Sequence, residues 1–216
     1  MSRTPHFLAV LIGTVLLSGV AHADNPKVNA DFFRPSVHPG DILGIQTANQ
    51  PKSLQWGAGA WFTFNAKTLR LVGDSSGKDY QILNQQFLAD IYGHLGLFDF
   101  LDIGIDIPLA LMSTGDSPAA GSSLTKVGGA ALGDLRLGIK GTFLGGNGKG
   151  FGLALSEDLT FPTATKAVFI GDKSGTGTTN VILDYSGRGW QVALNLGFRL
   201  KSAVQVEGRE FGHQLL

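Results

Sequence analysis

A chain of 216 residues with Lys+Arg and Asp+Glu both at 17 carries no formal net charge, which argues against an electrostatic nucleic-acid binder. It has no cysteine, so disulfides, thiol nucleophiles and cysteine metal sites are excluded. Its 31 glycines lie far above the usual frequency of about 7% and point to turns and small strand positions, not helices.

Taken in order, the chain begins with a secretory signal over residues 1–23. Arg3 supplies the charge, Phe7 to Val20 the apolar core, and Ala21-His22-Ala23 the small-x-small cleavage pattern. No later apolar run reaches about 18 residues, so the chain is expected to be exported without a helical anchor. A signal alone also fits a soluble secreted or periplasmic protein. Residues 24–53 are rich in turn formers (Pro26, Pro35, Pro39, Gly40, Pro51) and read as an irregular arm, with a short strand at Ile42 to Ile45.

Leu54 to Asn65 is the first full strand, with Leu54, Trp56, Ala58, Ala60, Phe62 and Phe64 on one face. Ala66 to Asn84 reads as a long loop with room for strand extensions at both ends. Phe87 to Leu111 is a β-hairpin turning near Phe98. One of its faces is almost purely apolar, from Ile91 and Leu95 to Ile103, Ile105 and Ile107. A Gly/Ser/Pro loop follows over Ser113 to Ala130, then a strand over Ala131 to Phe143 and a turn over Gly145 to Gly150. Phe151 to Phe161 is the next strand. Glu157 breaks its apolar face, which suggests a bulge or the interfacial end of the strand. Pro162 to Thr178 is a loop, Thr179 to Ser186 a short strand, Gly187 to Gly189 a turn, and Trp190 to Lys201 a strand. Ser202 to Leu216 is polar and ambiguous.

Each hairpin run is about the length a tilted strand needs to cross a bilayer, roughly 9–11 residues. Short connections near Phe98, Gly146 and Gly187 alternate with long ones near Gly73, Gly121 and Gly171. Outer-membrane barrels alternate in this way, whereas Greek-key sandwiches give no reason to. The fold class expected is therefore all-β. Residues 54–216 form an antiparallel up-and-down transmembrane β-barrel of about eight strands. Lipid offers no hydrogen-bond partner, so such a sheet must close on itself. Only the polar stretch 208–216 is available for closure, and no terminal aromatic ends it. A curved, imperfectly sealed sheet is expected. Trp56, Trp61, Phe143, Phe161 and Trp190 fall near strand ends, as an aromatic girdle would.

The inward face carries the chemistry. Parity places His94 opposite Asp106, or Tyr92 opposite Asp106 if the register is one step tighter. Asp90, His94, Asp106, Asp134, Arg136, Lys140, Arg199 and Lys201 form the candidate lumen-facing network. Its role is read as structural, satisfying ionisable groups inside a narrow barrel. No nucleophile sits beside His94 in the pattern, although Ser156 could face inward. No His-x-His or Glu-x-x-His spacing supports a metal, and no cofactor is implied. Gly73 to Asp79 imitates a phosphate loop, but its spacing is one short and Asp79 replaces the Ser/Thr. Arginine at the outward positions Ile105 or Leu137 is expected to cost roughly 2–4 kcal/mol. Serine at Gly104 or Gly138 is expected to be far milder unless the lumen is tightly packed.

The order Phe33-Arg34-Pro35, Pro39-Gly40-Asp41, Leu95-Gly96-Leu97-Phe98-Asp99 and Gly133-Asp134-Leu135-Arg136-Leu137-Gly138 resembles the N-terminal barrel region of a subgroup of OmpA-family outer-membrane proteins. Phe161-Pro162-Thr163 and Asn195-Leu196-Gly197-Phe198-Arg199-Leu200 fit the same pattern. The resemblance covers most of the mature chain. It implies a non-enzymatic, structural or narrowly pore-forming protein of the outer membrane, with lipid and an envelope or cell-wall-linked structure as partners. The family's peptidoglycan-binding domain has no counterpart here. Two other readings stand beside it: a barrel hydrolase using the His94 region, and a soluble periplasmic β-protein binding an apolar ligand.

Overall fold

The computed structural model describes residues 29–30, 33–72, 79–117, 126–166, 168–206 and 209–216. The predicted signal at 1–23 and most of the phosphate-loop-like stretch, 73–78, lie outside them.

The strands are β1 (Trp56–Val72), β2 (Asp79–Leu97), β3 (Leu101–Thr114), β4 (Ala131–Leu132), β5 (Leu135–Leu144), β6 (Gly150–Phe161), β7 (Thr176–Ser186), β8 (Gln191–Leu200), β9 (Val204–Val206), β10 (Arg209–Phe211) and β11 (Gln214–Leu215). One sheet runs β1-β2-β3-β5-β6-β7-β8-β11, with β4 attached to β3 and β9-β10 forming a separate hairpin. Neighbours are antiparallel throughout, and the sheet curls into a half-barrel, as an incomplete antiparallel β-barrel does. The last strand, β11, pairs with β8 through Gln214↔Arg199 and Leu215↔Phe198 and does not reach β1. The expected loose closure is therefore observed as an open sheet.

The period-two pattern holds along the whole sheet. Phe62, Ile91, Ile105, Val181, Leu183, Leu194 and Leu196 are exposed on the convex face. Asp102, Asp106, Arg136, Lys140, Ser156, Thr178 and Asp184 are buried on the concave face. The short connections at 98–100, 145–149 and 187–190 gather at one rim, which carries Phe98, Phe100, Phe143, Phe151, Tyr185 and Trp190. Several of these rings touch: Phe151 and Tyr185 lie edge to face at 4.8 Å, Tyr185 and Trp190 stack at 5.3 Å, and Phe98 and Phe100 stack at 6.1 Å.

Three local expectations are corrected. Residues 66–84 are not mainly loop, because β1 runs to Val72 and β2 starts at Asp79. Their pairing slips between Ala66 and Arg70, with Lys67 at positive φ. Packing extends the two strands into both ends of this stretch. Leu69, Leu71, Tyr80, Ile82 and Leu83 join a core with Phe169 and Ile170 from the long 162–175 connection. Ile42 to Ile45 is a tight turn closed by one bridge, with Leu43 at positive φ, and not a strand. Glu157 sits in unbroken register between Ile139 and Thr179, so there is no bulge at that position. The Thr179 hydroxyl donates to its carboxylate instead.

The arm decides the interior. Residues 35–39 and 46–48 lie inside the curl of the sheet, where Pro35, Val37, His38, Gln46, Thr47 and Ala48 are buried, while the 42–45 turn between them is exposed. Gly104 and Gly138 are the floor beneath Val37. A Cβ at Gly104 would stand 2.4 Å from Val37 Cγ2, and one at Gly138 would stand 2.7 Å from it. Serine is expected to be mild here unless the lumen is tightly packed, and these approaches make it tightly packed. Gly104→Ser should cost roughly 1–3 kcal/mol by overpacking. Val37→Ala should recover part of that loss in a urea-midpoint comparison, and absence of any recovery would place the strain elsewhere.

Candidate functional site: a lumen filled by the arm

The arm has no regular secondary structure, so its buried backbone groups need partners from the wall. Alternation on β3, β5, β7 and β8 supplies them. The Ala48 N–H donates to Asp184 Oδ2 at 2.8 Å. The Gln46 N–H donates to Asn195 Oδ1 at 2.6 Å, and Asn195 Nδ2 returns a bond to the Gln46 carbonyl at 2.8 Å. Lys140 Nζ reaches Asp41 Oδ1 at 3.3 Å and the Thr47 carbonyl at 3.1 Å. Asp41 also accepts from the Thr47 N–H and the Ser36 hydroxyl. Arg136 ties the start of this segment down, bonding Asp106 at 3.1 Å and donating to the Pro35 carbonyl.

Two imidazoles flank one carboxylate. His38 Nδ1 and Asp102 Oδ2 are 2.6 Å apart, with both side chains fully buried. His94 Nδ1 is 3.7 Å from Asp102 Oδ1. Across β2 and β3 it is Tyr92 that faces Asp106, while His94 faces Gly104, so the tighter of the two registers is the one adopted.

The eight predicted lumen residues all face inward or sit buried, or partly so, at the rim, but they do not join into one network. Asp106 and Arg136 pair across β3 and β5. Lys140 pairs with the arm's Asp41. Lys201 reaches Asp172 in the long connection at 3.0 Å. Arg199 Nε donates to Thr178 Oγ1 at 3.0 Å. Asp90 is buried opposite Trp61 and Pro108. Asp134 lies between strands β4 and β5 at the long-loop rim. It accepts the backbone N–H groups of Asp172 at 2.6 Å and Ala164 at 2.9 Å. Burial there pushes its carboxyl above the ordinary carboxylate range, and those two donors partly offset the rise.

Sequence reasoning missed His38, Asp41, Asp102, Asp184, Gln46 and Asn195. Asp102, Asp184 and Asn195 share the parity of the polar face, so alternation alone could have found them. His38, Asp41 and Gln46 lie in the aperiodic arm and leave no such signal. Trp61, expected in the girdle, points inward and lies 5.7 Å from Phe33. Its parity matches Gly57 and Gly59, not Trp56.

Two cavities remain beside the arm. One, of about 310 Å³, is bounded by Trp61, Tyr92, His94 and arm residues 35–41. The other, of about 280 Å³, is bounded by Arg34, Arg136, Arg199, Asp158, Asn180 and Asn195. Among the described residues no hydroxyl is hydrogen-bonded to the ring of His38 or His94, and no group of three or more His, Cys, Asp or Glu is arranged to hold a metal. A Cβ on Gly138 would stand 3.0 Å from His38 Nε2, so that nitrogen faces strand β5 and not an open site. Comparison with known proteins gave no matching family model, no similar curated protein and no similar solved structure.

Proposed function

We propose that this chain is an exported, non-enzymatic β-barrel protein of the outer membrane, structural in role, whose lumen is plugged by its own N-terminal arm. The observation that carries this reading is the polarity of the sheet. Its convex face exposes apolar side chains from β1 to β8, and aromatic rings edge it at the short-turn rim. An exposed apolar surface this continuous is unfavourable in water and well suited to lipid. The order of motifs that resembles the OmpA family supports the same placement, as does the signal-like N-terminus. Lipid is then the principal partner, and an envelope or wall-linked structure a second one.

A soluble carrier of apolar ligands would have the opposite polarity, with its greasy face turned inward. Here the inward face holds Asp102, Lys140 and Asp184. The hydrolase reading needs a nucleophile on His94, and among the described residues no hydroxyl is hydrogen-bonded to its ring.

Fractionation tests the proposal. The mature chain should sediment with outer membranes and resist a carbonate wash, and its recovery from the soluble periplasmic pool would overturn the reading. A conductance measurement adds to it. Reconstituted protein should show no steady channel current, because residues 35–39 and 46–48 occupy the lumen. A stable open-channel current would remove the plug from the proposal.

A further inference from the structure

We propose that the cavity between the arm and strands β5 to β8 is a binding site for a small oxyanion, a carboxylate or a phosphate. The cavity measures about 280 Å³. Arg34, Arg136 and Arg199 all line it, against the single carboxylate of Asp158. Arg136 is matched by Asp106 at 3.1 Å. Arg34 and Arg199 make no ion pair with a described residue, and within the lining of this cavity they face only the carboxylate of Asp158. Beyond that lining, Asp172 pairs with Lys201 at 3.0 Å, and Asp134 accepts two backbone N–H groups and is stabilised by Arg34 without a direct hydrogen bond to it.

The donors are open as well as charged. Arg34 makes no hydrogen bond or ion pair with another described residue. Arg136 Nε is buried without a partner, and so is Asp158 Oδ1. Arg199 uses Nε on Thr178 and one terminal nitrogen on Gln214, leaving the rest of its fork free. A planar guanidinium matches an oxyanion with two parallel hydrogen bonds, and the low dielectric of a buried wall strengthens them. Asp158 offers the complementary acceptor, so a hydroxyl on the ligand would meet it. Asn180 and Asn195 add neutral donors on the far wall. An oxyanion there would also offset the mutual repulsion of the three arginines.

This inference goes beyond the envelope reading and does not depend on it, because it rests only on how the arm packs against the sheet. The test is calorimetric titration of the folded full chain in detergent micelles. Inorganic phosphate and gluconate are the two oxyanion probes, and glucose is the uncharged control. At least one oxyanion should bind saturably while glucose does not. Preference for phosphate or for gluconate tells which oxyanion the site takes. Arg34→Gln and Arg199→Gln should each weaken binding about tenfold or more, the loss expected for a hydrogen bond to a charged group. Asp158→Asn should tighten phosphate, and Lys149→Gln in the exposed 145–149 turn should change nothing. Arg34 is half-buried and unbonded, so its variant should fold normally, as an unchanged β-sheet circular dichroism spectrum and urea midpoint would show. Absence of saturable binding by both oxyanions would overturn the proposal. So would equal affinity in the wild type and in the folded Arg34→Gln and Arg199→Gln proteins.

Discussion

Lys140→Met should destabilise the folded protein by roughly 3–5 kcal/mol, the usual cost of removing one partner from a buried ion pair. Lys140 is fully enclosed, and its partner Asp41 has a side chain only 1% exposed. The ammonium stands between strand β5 and the arm and holds both Asp41 and the Thr47 carbonyl. Methionine fills a similar volume, so little of the loss would come from a cavity. The loss would come from a buried carboxylate left without its cation. Asp41→Asn in the same chain removes that charge and should restore most of the stability. A double-mutant cycle on urea unfolding of bilayer-reconstituted protein reads the coupling directly. Surface ion pairs are worth at most about 1 kcal/mol. A Lys140→Met loss in that range would mean water reaches the pair, and the arm would then not seal the lumen.

Much of the sheet was legible because alternation is a local signal. Ile103, Ile105 and Ile107 against Asp102, Gly104 and Asp106 fix both the strand and its faces, and a one-residue slip would invert every one of them. The short turns at 98–100, 145–149 and 187–190 were legible for a related reason. At 145–149 and 187–190 the backbone needs residues that tolerate positive φ, and Gly145, Gly146, Gly148 and Gly189 meet that need, whereas at 98–100 Phe98 and Asp99 take positive φ themselves and only the break in alternation marks the turn. The extent of β1 and β2 beyond Asn65 was not legible. Leu69, Leu71 and Ile82 become strand residues by packing on Phe169 and Ile170, which lie some 85 or more positions further along the chain. No window along the sequence contains that contact.

The site was legible on the wall and illegible in the filling. Period two marks Arg136, Lys140 and Arg199 as inward-facing, but it says nothing of what they meet. Their partners come from a segment with no period at all. Pro35, Pro39 and Gly40 mark that segment as irregular, and irregular backbone usually lies on the surface. It can be buried here because Asp184, Asn195 and Lys140 answer its N–H and C=O groups one by one. Those bonds span 93 to 149 positions in sequence. Gly104 and Gly138 hinted at a close approach, as strand glycines do, without showing that Val37 is what approaches.

Arginine on the convex face separates a lipid-facing sheet from a water-facing one. Ile105 lies mid-strand on β3, flanked on the same face by Gly93 of β2 and Leu137 of β5. It is about half exposed, so a longer side chain meets no steric barrier there. In a bilayer Ile105→Arg should cost roughly 2–4 kcal/mol, because the charge sits near the midplane. Phe143→Arg, at the short-turn rim, should cost only about 0–1 kcal/mol of charge-transfer energy, since headgroups and water lie within reach. Equilibrium unfolding from liposomes would measure both variants against the wild type. The contrast between them is the informative quantity, since it cancels any general effect of added charge. If water covered this face instead, an exposed substitution would fall within about 0.5 kcal/mol of neutral at both positions. The Ile105 variant would then be the more soluble protein, because it breaks up an apolar patch. A depth-dependent penalty therefore favours lipid against β3, and two equal, negligible costs would place this sheet in water.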